Sequence, residues 1–313
     1  MDNMLHVSSS PHVRAKDSTN RIMAYVILAL LPTTLFGIFN FGPKALLLIV
    51  LTIASCVGTE WVFEKIVHKK STISDLSAVV TGLLLALNLP VNLPWWEAVL
   101  GGVFAIAIVK MMFGGLGQNF MNPALGARCF LLIAFAADMT NFQTDTYTGA
   151  TPLAAMRNGE IINSMDALIG RTAGTIGETS TIAILIGAIL LILLGVITLA
   201  IPASYLITFV IFMLLFGGHG FDMYYIVAQL CSGGIMLGAF FMATDYVTSP
   251  ITPRGRILFG ICCGILTGLF RCFGANAEGV SFAIILSNLL VPMIEKITIP
   301  RAFGQVKEKK EGK

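Results

Sequence analysis

Ten apolar runs constrain this chain more than anything else in it. They cover roughly residues 22–40, 43–63, 75–90, 95–112, 122–137, 180–200, 203–217, 223–242, 256–273 and 279–296. A backbone N–H or C=O inside a lipid hydrocarbon core has no water to bond, so only helices and closed barrels can cross it. Runs of this length satisfy their backbone within one helix. The charged fraction agrees: 12% of residues, against about 25% in a soluble domain. The pattern predicts an all-α polytopic membrane protein with about ten transmembrane helices.

The third, fifth and seventh runs are short and bounded by Gly or Pro, which predicts broken or tilted helices around a buried site. The first run has no small-residue cleavage site and reads as a signal anchor. Lys and Arg then set the orientation. With the N-terminus in the cytoplasm, Arg14, Lys16, Arg21, Lys65, Lys69, Lys70, Lys110, Arg254, Arg256, Lys296 and the Lys-rich tail all fall inside. Only Lys44, Arg157, Arg171 and Arg271 fall outside, with Arg128 near the start of the fifth run. Both basic ends lie on one side only if the number of spans is even. Residues 1–21 and 297–313 are thus expected in the cytoplasm, and residues 138–179 form an external loop. That loop is acidic: Asp138, Asp145, Glu160, Asp166 and Glu178 outnumber Arg157 and Arg171. It is also far longer than an ordinary connection, which points to a function.

Residues 22–137 and 180–296 read as two five-span halves. Residues 114–124 and 273–284 both give a Gly/Asn-rich break followed by an apolar run. The polar breaks at 88–94 and 244–254 also correspond. Five is odd, so the halves are expected to be inverted repeats, an arrangement that places binding sites at their interface.

Few residues offer chemistry. The six cysteines lie in or beside apolar runs without a CxxC pair, and the four histidines have no metal-ligand spacing. No Walker loop is present, and a nucleic-acid partner is not expected; the Gly101-Gly102, Gly114-Gly115, Gly217-Gly218 and Gly233-Gly234 pairs read as close helix approaches. Arg128 has three readings: it snorkels to the cytoplasmic face, holds a ligand ring edge, or pairs with an acid. Glu97, Arg271 and Glu278 read as anchors at the outer boundary.

The external loop contains Asp145-Thr146-Tyr147-Thr148-Gly149-Ala150-Thr151. Gly149 and Ala150 leave room for a modifying enzyme, and Pro152 biases Thr151 toward an extended backbone. The string resembles a site at which flavin transferases join FMN, through its phosphate, to a hydroxyl. Together with Ser10-Pro11-His12, Asp17-Ser18-Thr19, residues 114–128 and residues 243–256, it extends the resemblance over residues 10–296. The chain resembles the family that holds the D subunits of Rnf-type ion-translocating ferredoxin:NAD oxidoreductases and the B subunits of sodium-pumping NADH:quinone reductases. The short N-terminal segment looks more like the Rnf members.

The resemblance implies a urea-channel-like fold in a bacterial inner membrane. It implies covalent FMN on Thr151, within an acceptor motif of Asp145, Thr148, Gly149 and Ala150, on the outer side. Thr148 stands where Ser is frequent, a harmless change. A second, non-covalent riboflavin is implied inside the bundle. Polar groups at the helix breaks are its expected contacts, or part of an ion path: Asn119, Asn122, Arg128, Thr244 and Asp245, with Asn88, Asn92, Gln118 and Thr248 beside them. The bland reading of these groups is helix capping. The implied partners are the A, B, C, E and G subunits of an Rnf complex, and a flavin transferase for maturation. The competing function is a channel or carrier for a small polar solute, and a third is a purely structural role in assembly.

Overall fold

A computed structural model describes residues 18–68, 71–142, 151–158, 164–218, 220–274 and 278–300, and among them all regular structure is helical. Each of the ten apolar runs carries helix. In the first half these are α1 (Thr19–Phe41), α2 (Pro43–Ile66), α3 (Ser77–Leu87), α4 (Trp95–Val103, continued as a π-helix over Phe104–Met111) and α5 (Pro123–Ala134). Short helices α6 (Ala136–Met139), α7 (Pro152–Arg157) and α8 (Ser164–Ile169) follow in the acidic connection. The second half contains α9 (Thr181–Leu193), α10 (Ala200–Phe216), α11 (Met223–Cys231), α12 (Ile235–Leu237, continued as a π-helix over Gly238–Met242), α13 (Pro253–Phe273) and α14 (Val280–Thr298).

Four helices, α1, α2, α13 and α14, are long and apolar enough to cross a membrane alone. The α11–α12 pair makes a fifth such segment, bent by 65° at its break. As the Gly and Pro boundaries predict, α3 and α5 are short, at 11 and 12 residues. The seventh run instead forms α10, a continuous helix of 17 residues that begins before the run and carries Pro202 in its first turn, where proline is tolerated. Exposed Leu, Ile, Val and Phe side chains cover the outside of the bundle (Leu35, Phe39, Ile133, Leu193, Leu215 and Ile297 among them), as a lipid-facing surface requires. The core holds Leu85, Leu87, Leu89, Tyr205, Phe209 and Phe259, all fully buried. It runs unbroken through both halves.

Two sequence readings change here. Gly101-Gly102 is a close approach, since a Cβ on Gly102 would collide with Ser55 Oγ of α2. Gly233 and Gly234 are close approaches too, to Leu153 and Glu178, and they also break the eighth run: both have positive φ, +68° and +65°, which L-residues with a Cβ rarely adopt. Gly114 and Gly115 likewise form a positive-φ turn. The connection after residue 138 is also not all surface. Its last part, Thr175–Ser180, is buried, and Ile176 N–H and Gly177 N–H donate to Leu89 O and Leu87 O. This strip, which turns at Thr175–Glu178, caps the C-terminal end of α3 and satisfies carbonyls that the short helix leaves open.

Candidate functional site

Two polar regions lie toward opposite ends of the antiparallel α13–α14 pair. Arg271 is 18 residues beyond the start of α13, about 27 Å along its axis at 1.5 Å per residue. Thr151, Glu178 and Glu278 lie at the Arg271 end; Asn119, Asp245 and Tyr246 lie at the other.

At the first end, Thr151 N-caps α7. Its backbone is extended, φ −60° and ψ 151°, as Pro152 dictates, and its hydroxyl oxygen accepts from Ala154 N–H at 3.3 Å. Leu153 and Met156 pack on Ala228 and Tyr225, and this fixes α7 against α11. The Thr151 hydroxyl donates to nothing among the described residues, so replacing its proton with a phosphoryl group breaks no described bond. Asp145, Thr148, Gly149 and Ala150 lie outside the described residues.

Arg128 lies beneath Thr151 and does not snorkel. It is 4% exposed and ion-paired to two carboxylates, Glu278 Oε2 at 2.8 Å and Glu178 Oε1 at 3.3 Å. It also donates to Asn88 Oδ1 (3.1 Å) and Ser281 Oγ (2.9 Å). One side chain of α5 thus ties together the end of α3, the strip before α9 and the start of α14. Of its three readings, pairing with an acid is the one observed. Arg271 is no boundary anchor either: it is buried, and its guanidinium donates to Gln229 O, Ser232 O and Gly233 O at the broken end of α11. Those carbonyls are the negative end of a helix dipole, which offsets part of the cost of burying the cation. Glu97, also read as an anchor, is buried.

At the other end, a cavity of ≈ 820 Å³ brings Asn119, Asn122, Thr244 and Asp245 together. Ile22, Met23, Val26, Leu84 and Phe241 supply apolar walls, and Ser77, Lys110 and Tyr246 further polar ones. Asn122 Oδ1 caps α5 at Ala124 N–H and Leu125 N–H, and its Nδ2 donates to Met242 O. Capping and cavity lining therefore coexist in one residue. Arg128 is not part of this group.

Sequence reasoning missed Lys110 and Glu60. Lys110 reads as an inside-loop charge, yet it is 2% exposed on the π-helical turn. Its ammonium donates to Glu60 Oε1 (2.8 Å) and Ser77 Oγ (2.6 Å). Thr72 bridges Glu60 and Glu64, donating at 3.1 Å and 2.5 Å. The available signal was an acid, Glu60, inside an apolar run with a base in another run.

Both polar ends fall within a stretch shared with known proteins. Residues 6–304 match the profile of the NQR2, RnfD, RnfE family. The chain belongs to that family. It is 49% identical to an Acetobacterium woodii protein named as the D subunit of a Na(+)-translocating ferredoxin:NAD(+) oxidoreductase complex, over 99% of this chain and 98% of that one. It is 40% identical to a Clostridium ljungdahlii protein named as the D subunit of a proton-translocating ferredoxin:NAD(+) oxidoreductase complex, over 96% and 97%. A protein of Escherichia fergusonii, named as the D subunit of an ion-translocating oxidoreductase complex, is 34% identical over 97% and 99%. For this NQR2, RnfD, RnfE family member, such coverage means that the relatives span the Thr151 end and the larger cavity alike.

Proposed function

We propose that this chain is the membrane flavoprotein subunit of an Rnf-type ion-translocating ferredoxin:NAD oxidoreductase. It carries electrons through FMN joined to Thr151 and through a non-covalent riboflavin, coupled to Na+ or H+ movement. The observation that carries this reading is the placement of Thr151: an undonated hydroxyl on a packed N-cap, above a buried Arg128–Glu178–Glu278 cluster. The names of the full-length relatives support the complex and the translocase activity.

Bound flavin supplies one- and two-electron chemistry. The residues of this chain supply position and charge. Thr151 fixes the FMN phosphate and keeps it at one end of the bundle. The cavity at the other end offers apolar walls for a ring system, and Asn119, Asn122 and Thr244 for its polar edge. Asn88 links the two regions: it accepts from Arg128, and its amide reaches Met242 Sδ, while Asn122 donates to Met242 O.

The architecture fits two inverted five-helix halves. The fifth helices of the two halves, α5 and α14, meet at the Arg128–Ser281 bond, where a repeat interface places a site. In this reading both termini are cytoplasmic, residues 138–179 face outward, and the other proteins of the complex exchange electrons with each flavin. The membrane is the bacterial inner membrane, and a flavin transferase matures Thr151.

The test is in-gel ultraviolet fluorescence of the denatured protein, made with its flavin transferase. Wild type gives a fluorescent band and Thr151→Val gives none. A dark wild-type band contradicts the reading and favours a solute channel.

A further inference from the structure

The space beneath Thr151 has walls that a covalent anchor does not require. This small cavity, with room for about one water, is lined by Glu178, Thr179, Ser232 and Glu278 as well as Thr151. Thr179 Oγ1 and Ser232 Oγ are buried, 3% and 4% exposed, and neither has a hydrogen-bond partner among the described residues. Buried hydroxyls left unpaired are costly, so two of them on one small polar cavity point to water inside it.

Three charged groups act on Glu178, and one thiol lines the same cavity. Arg128 comes from α5, Arg271 from α13, Glu278 from the turn before α14, and the Cys231 thiol from the end of α11. With both carboxylates ionised, the two arginines balance them. The two acids are not equivalent. Glu278 accepts a hydrogen bond from Arg128 at 2.8 Å and has a side chain 17% exposed. Glu178 has the guanidinium at 3.3 Å and a side chain 3% exposed. Burial pushes the Glu178 carboxyl up to about 7; Arg128 pulls the other way, and Glu278 adds to the rise. Gly234 leaves the space this carboxylate occupies, since any Cβ there would collide with Glu178 Oε1.

We propose that Glu178 is a proton-storing group, which binds one proton through the cavity water when an electron reaches the Thr151-linked flavin and releases it when the electron leaves. This rests on the flavin reading above. The electron comes from a one-electron carrier elsewhere in the complex, a flavin or an iron–sulfur centre. The proton comes from solvent, a carboxyl O–H bond forms on Glu178, and the total charge of flavin plus cluster is unchanged. The sign follows from electrostatics: added negative charge nearby favours the neutral carboxyl over the carboxylate.

Two readouts on the purified complex, with Thr151 shown to be fluorescent, test this. Infrared difference spectra, reduced minus oxidised and taken above neutral pH, gain a carboxylic acid C=O band in wild type. The band is absent in E178Q and returns, shifted, in E178D. The potential of the external flavin falls as pH rises through neutrality, and falls less steeply in E178Q. The two curves meet at low pH, where wild-type Glu178 is already neutral; at high pH E178Q has the higher potential. A band that survives E178Q, or identical potential curves, overturns the inference and leaves the flavin reading standing. A dark Thr151 band overturns both. If E178Q fails to assemble, E178D decides alone, because an unshifted band overturns the assignment.

Discussion

The two polar ends of this bundle handle buried charge differently. At the Thr151 end, Arg128 serves two carboxylates, and hydroxyls on the adjoining cavity lack partners. At the other end, Lys110 has one carboxylate and one hydroxyl at 2.8 Å and 2.6 Å, with Thr72 closing the acids behind it. The first arrangement leaves the protonation of an acid open to change. The second sets one ammonium directly against a carboxylate and a hydroxyl and forms part of the wall of a roomier cavity. A tethered ligand needs little shape recognition, so its site can be devoted to charge. An untethered ligand must be held by shape, and there the polar groups sit on walls that are otherwise apolar.

Changes at these charges sharpen the contrast, and the largest effect is expected from Arg128→Met. It strands two acids, and removing one partner of a buried pair costs about 3–5 kcal/mol. Complex yield and thermal unfolding in detergent should show loss of assembly; near wild-type stability would mean that the cluster is hydrated from outside. Lys110→Met strands one acid, Glu60, at the lower end of that range, about 3 kcal/mol. Here the double variant K110M/E60Q should recover most of the loss, because it removes both charges. If the double variant unfolds as readily as K110M alone, the pair is not the wall described. Asn122→Ala is the mildest. Loss of an N-cap costs about 1 kcal/mol, and fold and covalent flavin should both persist. The non-covalent flavin recovered by extraction should drop, and unchanged recovery would move that ligand out of this cavity.

Much of the fold was legible because hydrophobic runs and their Gly and Pro borders report local backbone demands. Each run became helix, and the shortness of α3 and α5 followed from their borders. The extended backbone at Thr151 was legible because Pro152 follows it directly. Asn119, Asn122, Thr244 and Asp245 were legible as polar groups at helix breaks, and they do share one cavity. Arg128 was not placeable: its partner Glu278 lies 150 positions away, and no local pattern reports such a pairing. Lys110 was misread because a lone Lys at the end of an apolar run looks like a loop flank, whereas the π-helical turn aims it inward at Glu60. The break at Gly233-Gly234 was hidden because apolar residues resume directly after it and only Ser232 borders it as a polar residue.

The central claim is that Thr151 carries the flavin, and peptide mass spectrometry tests it most directly. The protein is matured with its transferase, digested, and the peptide spanning residues 145–157 is fragmented. The account predicts a mass increase of FMN less one water, localised to Thr151. An unmodified peptide from fully matured, active complex, or the increase localised to Thr148, would contradict it.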